Sequence, residues 1–154
     1  MKCAICLIFI LSALTGFGQA SDKSYVTNSE YLKISDAAIE SFKKNFLTAE
    51  NVRWNVNDEG STVKFKQNNI NYHIFYNKRG KWQATIEYLP LEMLPRWIKS
   101  RVKSDFKNFS IFFAQHVKTS VGHIYVIKIE KGNEWKCISI SPEATELMGE
   151  YVRG

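Results

Sequence analysis

Three histidines, His73, His116 and His123, and the cysteine Cys137 are the side chains of the main body of the chain best equipped for metal or nucleophilic chemistry. His116 and His123 stand on either side of a predicted hairpin, and a cross-strand histidine pair can hold zinc. A tetrahedral zinc site takes three or four ligands, however, and Cys137 is the only further soft donor within reach of that pairing. None of the three histidines has another His, Cys or carboxylate at ligand spacing on its own element, so neither a metal site nor a cofactor is expected. The sequence holds no G-x-S-x-G elbow, no phosphate-cradling glycine loop and no H-E-x-x-H. Among its acids, Asp58 and Glu59 fall at a turn tip and Glu143, Glu146 and Glu150 near the C-terminus, where nothing in the spacing pairs them in a desolvated pocket for acid–base work. The expectation is a protein that is not an enzyme.

The elements that would position these groups show in the periodicity. Ala38, Phe42 and Phe46 recur every four residues behind Ser35, a good N-cap, and Asp36, which complements the helix dipole. Ile34 and Ile39 stand at the spacing of a hydrophobic staple. After Ala49 the period drops to two: Val52, Trp54, Val56; then Val63, Phe65; then Ile70, Tyr72, Ile74, Tyr76; then Trp82, Ala84, Ile86, Tyr88. Turns rich in Asn, Asp and Gly separate these runs, as in consecutive antiparallel hairpins. The plan then starts again. Pro95 is tolerated in a first helical turn, Leu94, Ile98, Val102 and Phe106 form a second stripe, and strands are expected at 110–118, 123–130, 134–141 and 145–152. The fold class expected is α+β: two tandem helix-plus-four-strand repeats, about 34–89 and 90–152, joined into one eight-stranded antiparallel sheet with helices on one face.

Ahead of this domain (34–154), residues 1–20 read as a secretory signal: Lys2, an apolar run from Ala4 to Leu14, then small residues with cleavage after Gly18 or Ala20. The alternative is an uncleaved anchor, against which the shortness of the apolar run argues, since a spanning helix needs about 20 apolar residues. No stable membrane insertion is expected after cleavage. Residues 21–33 are polar and aperiodic and read as a flexible leader. Losing the signal removes one cation and two cysteines, which leaves 20 basic against 15 acidic residues, net +5, and Cys137 alone. A lone cysteine forms no internal disulfide, so the core must stabilise this domain unaided; Cys137 itself reads as a packed strand residue.

Several spaced features together resemble one family. They are Ala38, Phe42 and Phe46 on a helix, Val52-Arg53-Trp54 on the next strand, Tyr76-Asn77-Lys78-Arg79-Gly80 at a hairpin, Leu94-Pro95 at the second helix, and the Tyr125-Val126-Ile127 strand. In this order they resemble the PepSY-like, beta-lactamase-inhibitor-like proteins of bacterial envelopes, over about residues 34–152. Leu47 stands where that pattern often has proline, and Asn77 stands where it has aspartate. The resemblance implies an eight-stranded sheet with helices on one face, a periplasmic or secreted location, and no established activity.

The aromatic load exceeds what one sheet face and two helices can cover, so some aromatics should lie on the helix-free face among Arg53, Lys64, Lys66 and Gln83. The adjacent Phe112 and Phe113 should point to opposite faces. Exposed aromatics among polar groups are usual anchors of protein interfaces. The candidate binding surface is therefore Arg53, Lys64, Lys66, His73, Phe75 and Thr85, for an unidentified envelope protein or peptide. The basic helix positions Arg96, Lys99, Arg101, Lys103 and Lys107 read as a solvated face, and nucleic acid is not an expected partner. The alternative function is a cystatin-like pocket protein holding a small ligand between helix and sheet, which needs an open space near Phe42, Trp54 and Ile98.

Overall fold

Alternation of period, four residues then two, is what the computed structural model shows; it describes residues 34–152. The signal and leader expected over 1–33 lie outside the described residues. Helix α1 (Asp36–Asn45) is followed by β1 (Glu50–Asn57), β2 (Gly60–Gln67), β3 (Ile70–Asn77) and β4 (Trp82–Tyr88). A 3-10 turn, Leu91–Met93, leads into α2 (Arg96–Asp105), then β5 (Ser110–Thr119), β6 (Gly122–Lys131), β7 (Glu134–Ile140) and β8 (Thr145–Val152). All eight strands form one antiparallel sheet in chain order, β1 to β8. The fold class expected from the sequence, α+β with helices packed on one face of an eight-stranded sheet, is the one observed.

Both helices bury the stripe that their spacing marks. Ala38 and Phe42 of α1 pack with Trp54, Val63, Phe65, Ile74 and Tyr76. Ile98 and Val102 of α2 pack with Ala114, Tyr125, Ile127, Ile129, Ile138 and Ile140. Burying each such side chain is worth roughly 1.5–3 kcal/mol, so the two clusters hold the layers together without a disulfide. Under α1 the layer is rich in aromatics: Phe42 meets Trp54 edge-on at 5.5 Å and Phe65 at 5.0 Å, and Phe65 stacks on Tyr72 at 5.0 Å. Rings fill the space around Phe42 and Trp54, and the cavity beside α1, of about 290 Å³, lies instead at its N-terminal end, lined by Ser35, Val56, Gly60, Ser61 and Asn77.

Local chemistry sets the connections. The β2–β3 turn places Asn68 and Asn69 at φ +50° and +64°, the two left-handed positions of a tight hairpin turn that Asn tolerates well. Asn57 Oδ1 accepts from the backbone N–H of Glu59 and Gly60 at 2.9 and 3.0 Å, and Asn77 Oδ1 accepts from Arg79 and Lys81 at 3.0 Å each. Asn77 thus closes its turn as the aspartate of the resembled pattern would. Ser35 corrects an expectation. It occupies the N-cap position, and its carbonyl accepts from Ala38 and Ile39, but its hydroxyl makes no capping bond. That oxygen packs instead against Gly80 of the β3–β4 turn.

Candidate functional site

In an antiparallel sheet, directly opposed residues share a face, so the register sorts every strand side chain. Lys64 opposes Arg53 on β1 and His73 on β3; His73 opposes Ile86 on β4; Phe75 opposes Thr62 and Ala84; Lys66 opposes Asn71. Five of the six candidate residues, Arg53, Lys64, Lys66, His73 and Phe75, therefore share the helix-free face.

Thr85 does not join them. It opposes Ile74 and faces the helices, buried at 8 % exposure, with its Oγ1 accepting from Trp82 Nε1 at 2.9 Å. The cause is a bulge: Phe75 and Tyr76 are successive on β3, whereas their partners Ala84 and Trp82 are two apart on β4. Gln83 is the extra residue, and one extra residue exchanges the faces of everything beyond it. Trp82 packs toward α1, while Ala84, Ile86 and Tyr88 turn to the helix-free side. A second bulge, between Ile111 and Phe113, corrects the expectation for the paired phenylalanines. Phe113 opposes Lys128 and meets Tyr88, while Phe112 packs on Trp135, so both stand on the helix-free side.

This face has an apolar centre of its own. Ile86, Val117 and Val126 are only 2, 3 and 1 % exposed although neither helix among the described residues crosses them. Phe75, Tyr88, Ile124, Cys137 and Met148 pack around them. Toward the β1 edge the surface turns basic, with Lys64 and Arg53 exposed and Lys66 half-buried. His73 lies between the two zones, its ring 4.3 Å from that of Phe75. Burial, with the charge of Lys64 in support, lowers its pKa from 6.5 to about 4, so the ring is neutral at physiological pH. Its Nε2 is buried without a hydrogen-bond partner. Burial raises the Cys137 thiol above its usual pKa, against the opposing charge of Lys128.

The opposite face carries a polar array where the two halves of the sheet meet. Glu87 of β4 opposes His116 of β5, and His116 opposes Tyr125 of β6. His116 Nδ1 lies 3.0 Å from Glu87 Oε2, its Nε2 lies 2.9 Å from His123 Nδ1, and Lys118 Nζ binds the other Glu87 oxygen. The His116 ring stacks on Tyr125 at 4.4 Å with planes 3° apart. Burial pushes the Glu87 carboxyl up, but the hydrogen bonds from His116 and Lys118, with their charges, outweigh it and hold the pKa below its ordinary value. The negative charge of Glu87 in turn adds to burial in raising the Tyr72 and Tyr125 hydroxyls. The sequence marked the histidine pair across its hairpin but not Glu87 or Lys118. Their place beside His116 depends on the β4–β5 pairing, made across the whole connection that contains α2, and no local spacing encodes it.

No helix among the described residues is long and apolar enough to cross a membrane. No family model matches the chain, and no curated protein does. Solved structures do. A DUF2874 family protein from Bacteroides ovatus matches at 22% identity and TM-score 0.64, covering 77% of this chain and 87% of its own. A BLIP-like protein from Bacteroides fragilis matches at 17% identity and TM-score 0.64, over 80% and 89%. A protein from Bacteroides eggerthii, provisionally named periplasmic, matches at 15% identity and TM-score 0.63, over 77% and 88%. PepSY is named in none of these, so the inhibitor-like side of the sequence resemblance is the side with a structural counterpart. At these identities the likeness is one of fold: this chain folds as the BLIP-like and DUF2874 proteins do.

Proposed function

We propose that this protein is a non-catalytic binding module of the bacterial envelope that holds a protein or peptide partner on the helix-free face of its sheet. The observation that carries this is the make-up of that face: a buried apolar centre at Ile86, Val117 and Val126, aromatic flanks, and a basic margin. Half-buried aromatics packed over an apolar centre, with charges at the margin, match the usual anatomy of a protein interface. The naming of one structural neighbour as BLIP-like and another as periplasmic supports an inhibitor-like role in that compartment. The basic margin suits a partner with an acidic rim around an apolar patch. Arg53, Lys64, Lys66, His73 and Phe75 are the contact residues; Thr85, on the other face, is not.

The test compares partners captured from an envelope fraction by the wild type and by the Phe75→Ala/Lys64→Glu double variant. Loss of the same partner from the double variant, with its thermal unfolding unchanged, is the expected result. Undiminished recovery of every partner would sink the proposal. The pocket alternative has less support, because side chains pack closely around Phe42 and Trp54 under α1 and around Ile98 under α2.

A further inference from the structure

The array at Glu87, His116 and His123 lies across the sheet from the proposed partner face and is independent of it. We infer that His116 Nε2 and His123 Nδ1 form a two-imidazole chelate for a divalent late first-row cation, with Cu2+ bound ahead of Zn2+. Two ring nitrogens at 2.9 Å must share a proton or a cation, since two lone pairs cannot face each other at that distance. The surroundings of His116 are those of a metal-bound imidazole. A ligating histidine characteristically gives its other N–H to a carboxylate, which fixes its tautomer and raises its basicity. Glu87 takes that N–H at 3.0 Å, and Lys118 fixes Glu87 in turn. Tyr125, stacked on the ring, prevents it from swinging away.

General affinity decides between cations, since imidazole donors bind Cu2+ ahead of Zn2+. Metal–imidazole bonds of about 2.0 Å place two nitrogens about 2.8 Å apart at a right angle and about 3.3 Å apart at a tetrahedral angle. The observed 2.9 Å is the hydrogen-bonded spacing of the pair and falls within that range, so small ring rotations admit a cation. Among the described residues no group of three or more His, Cys, Asp or Glu side chains is placed to hold a metal ion, so the remaining positions fall to solvent or to a partner's donor. His123 is exposed and leaves that side open. To ligate, neutral His123 moves its proton from Nδ1 to Nε2, where the new N–H donates a hydrogen bond to solvent, and no net proton is released.

Calorimetric titration of the tag-free protein with Cu2+, Zn2+ and Mg2+ tests the site. Expected are one Cu2+ per chain, weaker Zn2+ and no Mg2+, with nitrogen resonances of His116 and His123 moving together on Zn2+ addition. His123→Ala should lower Cu2+ affinity at least tenfold. Glu87→Gln should lower it by roughly 10–100-fold, the usual effect of losing such a carboxylate. Should Glu87→Gln fail to fold, the exposed His123→Asn replaces it and should lose at least tenfold. Absence of Cu2+ binding by the wild type, or full binding by the His116→Ala/His123→Ala double variant, overturns the inference.

Discussion

The Trp82 indole N–H donates to Thr85 Oγ1 at 2.9 Å, joining two side chains three residues apart on the same face of β4. A regular strand would put them on opposite faces; the bulge at Gln83 brings them together. Replacing Thr85 with Val should leave the indole N–H without that acceptor and cost about 1–2 kcal/mol, whereas Ser should cost less than 1 kcal/mol. Denaturant unfolding measures the difference. Because Thr85 faces the helices, neither variant should alter partner capture, and a change in capture would contradict its placement.

Bulges also explain how much of the molecule the sequence discloses. The α1 and α2 stripes and all eight strands are legible, because each rests on a period that survives within a few residues. Five candidate residues share a face for the same reason: β2 and β3 pair without a break over Lys64, Lys66, His73 and Phe75, and Arg53 of β1 opposes Lys64. What the alternation hides is a single inserted residue. Trp82, Ala84, Ile86 and Tyr88 read as one apolar face, yet Gln83 divides them between two. The Glu87–His116 pair is hidden differently, since strand pairing across α2 leaves no periodic trace.

His73 should make the fold sensitive to acid. Its folded pKa of about 4 lies below the unfolded value of 6.5, so between those limits the unfolded chain binds the extra proton. Stability is then full above about pH 6.5 and falls as the pH drops toward 4, by about 2 kcal/mol for a ring that keeps partial access to water. Urea unfolding at pH 7, 5.5 and 4.5 should show a shallower decline for His73→Gln than for the wild type. Identical slopes would refute the assignment.

Gly80 and Gly132 both adopt left-handed backbone, at φ +74° and +57°, but only one is crowded. A Cβ at Gly80 would lie 2.6 Å from Ser35 Oγ and 2.7 Å from the Ala38 backbone nitrogen; at Gly132 it would meet nothing within 4 Å. Gly132→Ala should therefore cost only the conformational strain, about 1 kcal/mol, while Gly80→Ala adds displacement of the first turn of α1. The midpoint of thermal unfolding should fall clearly further for Gly80→Ala. Equal losses would mean that α1 gives way freely.

Cys137 is half-buried beside the Ile86 cluster, and burial raises its thiol pKa. A thiol reagent at pH 8 should label it at least tenfold more slowly in the native protein than in the unfolded chain, since only the thiolate reacts. Native labelling at the unfolded rate would contradict the packing.

Strand order in space follows strand order in the chain without exception. Every ladder is therefore closed by a hairpin or, at β4–β5, by the α2 crossover, and no strand waits for a partner from a distant part of the chain. Loop closure is cheap at each such step, and β-rich domains with low contact order fold faster than sandwiches of equal size. Assembly can proceed like a zipper from any hairpin, and stopped-flow refolding should be complete within milliseconds to tens of milliseconds, on the order expected for mixed α and β domains.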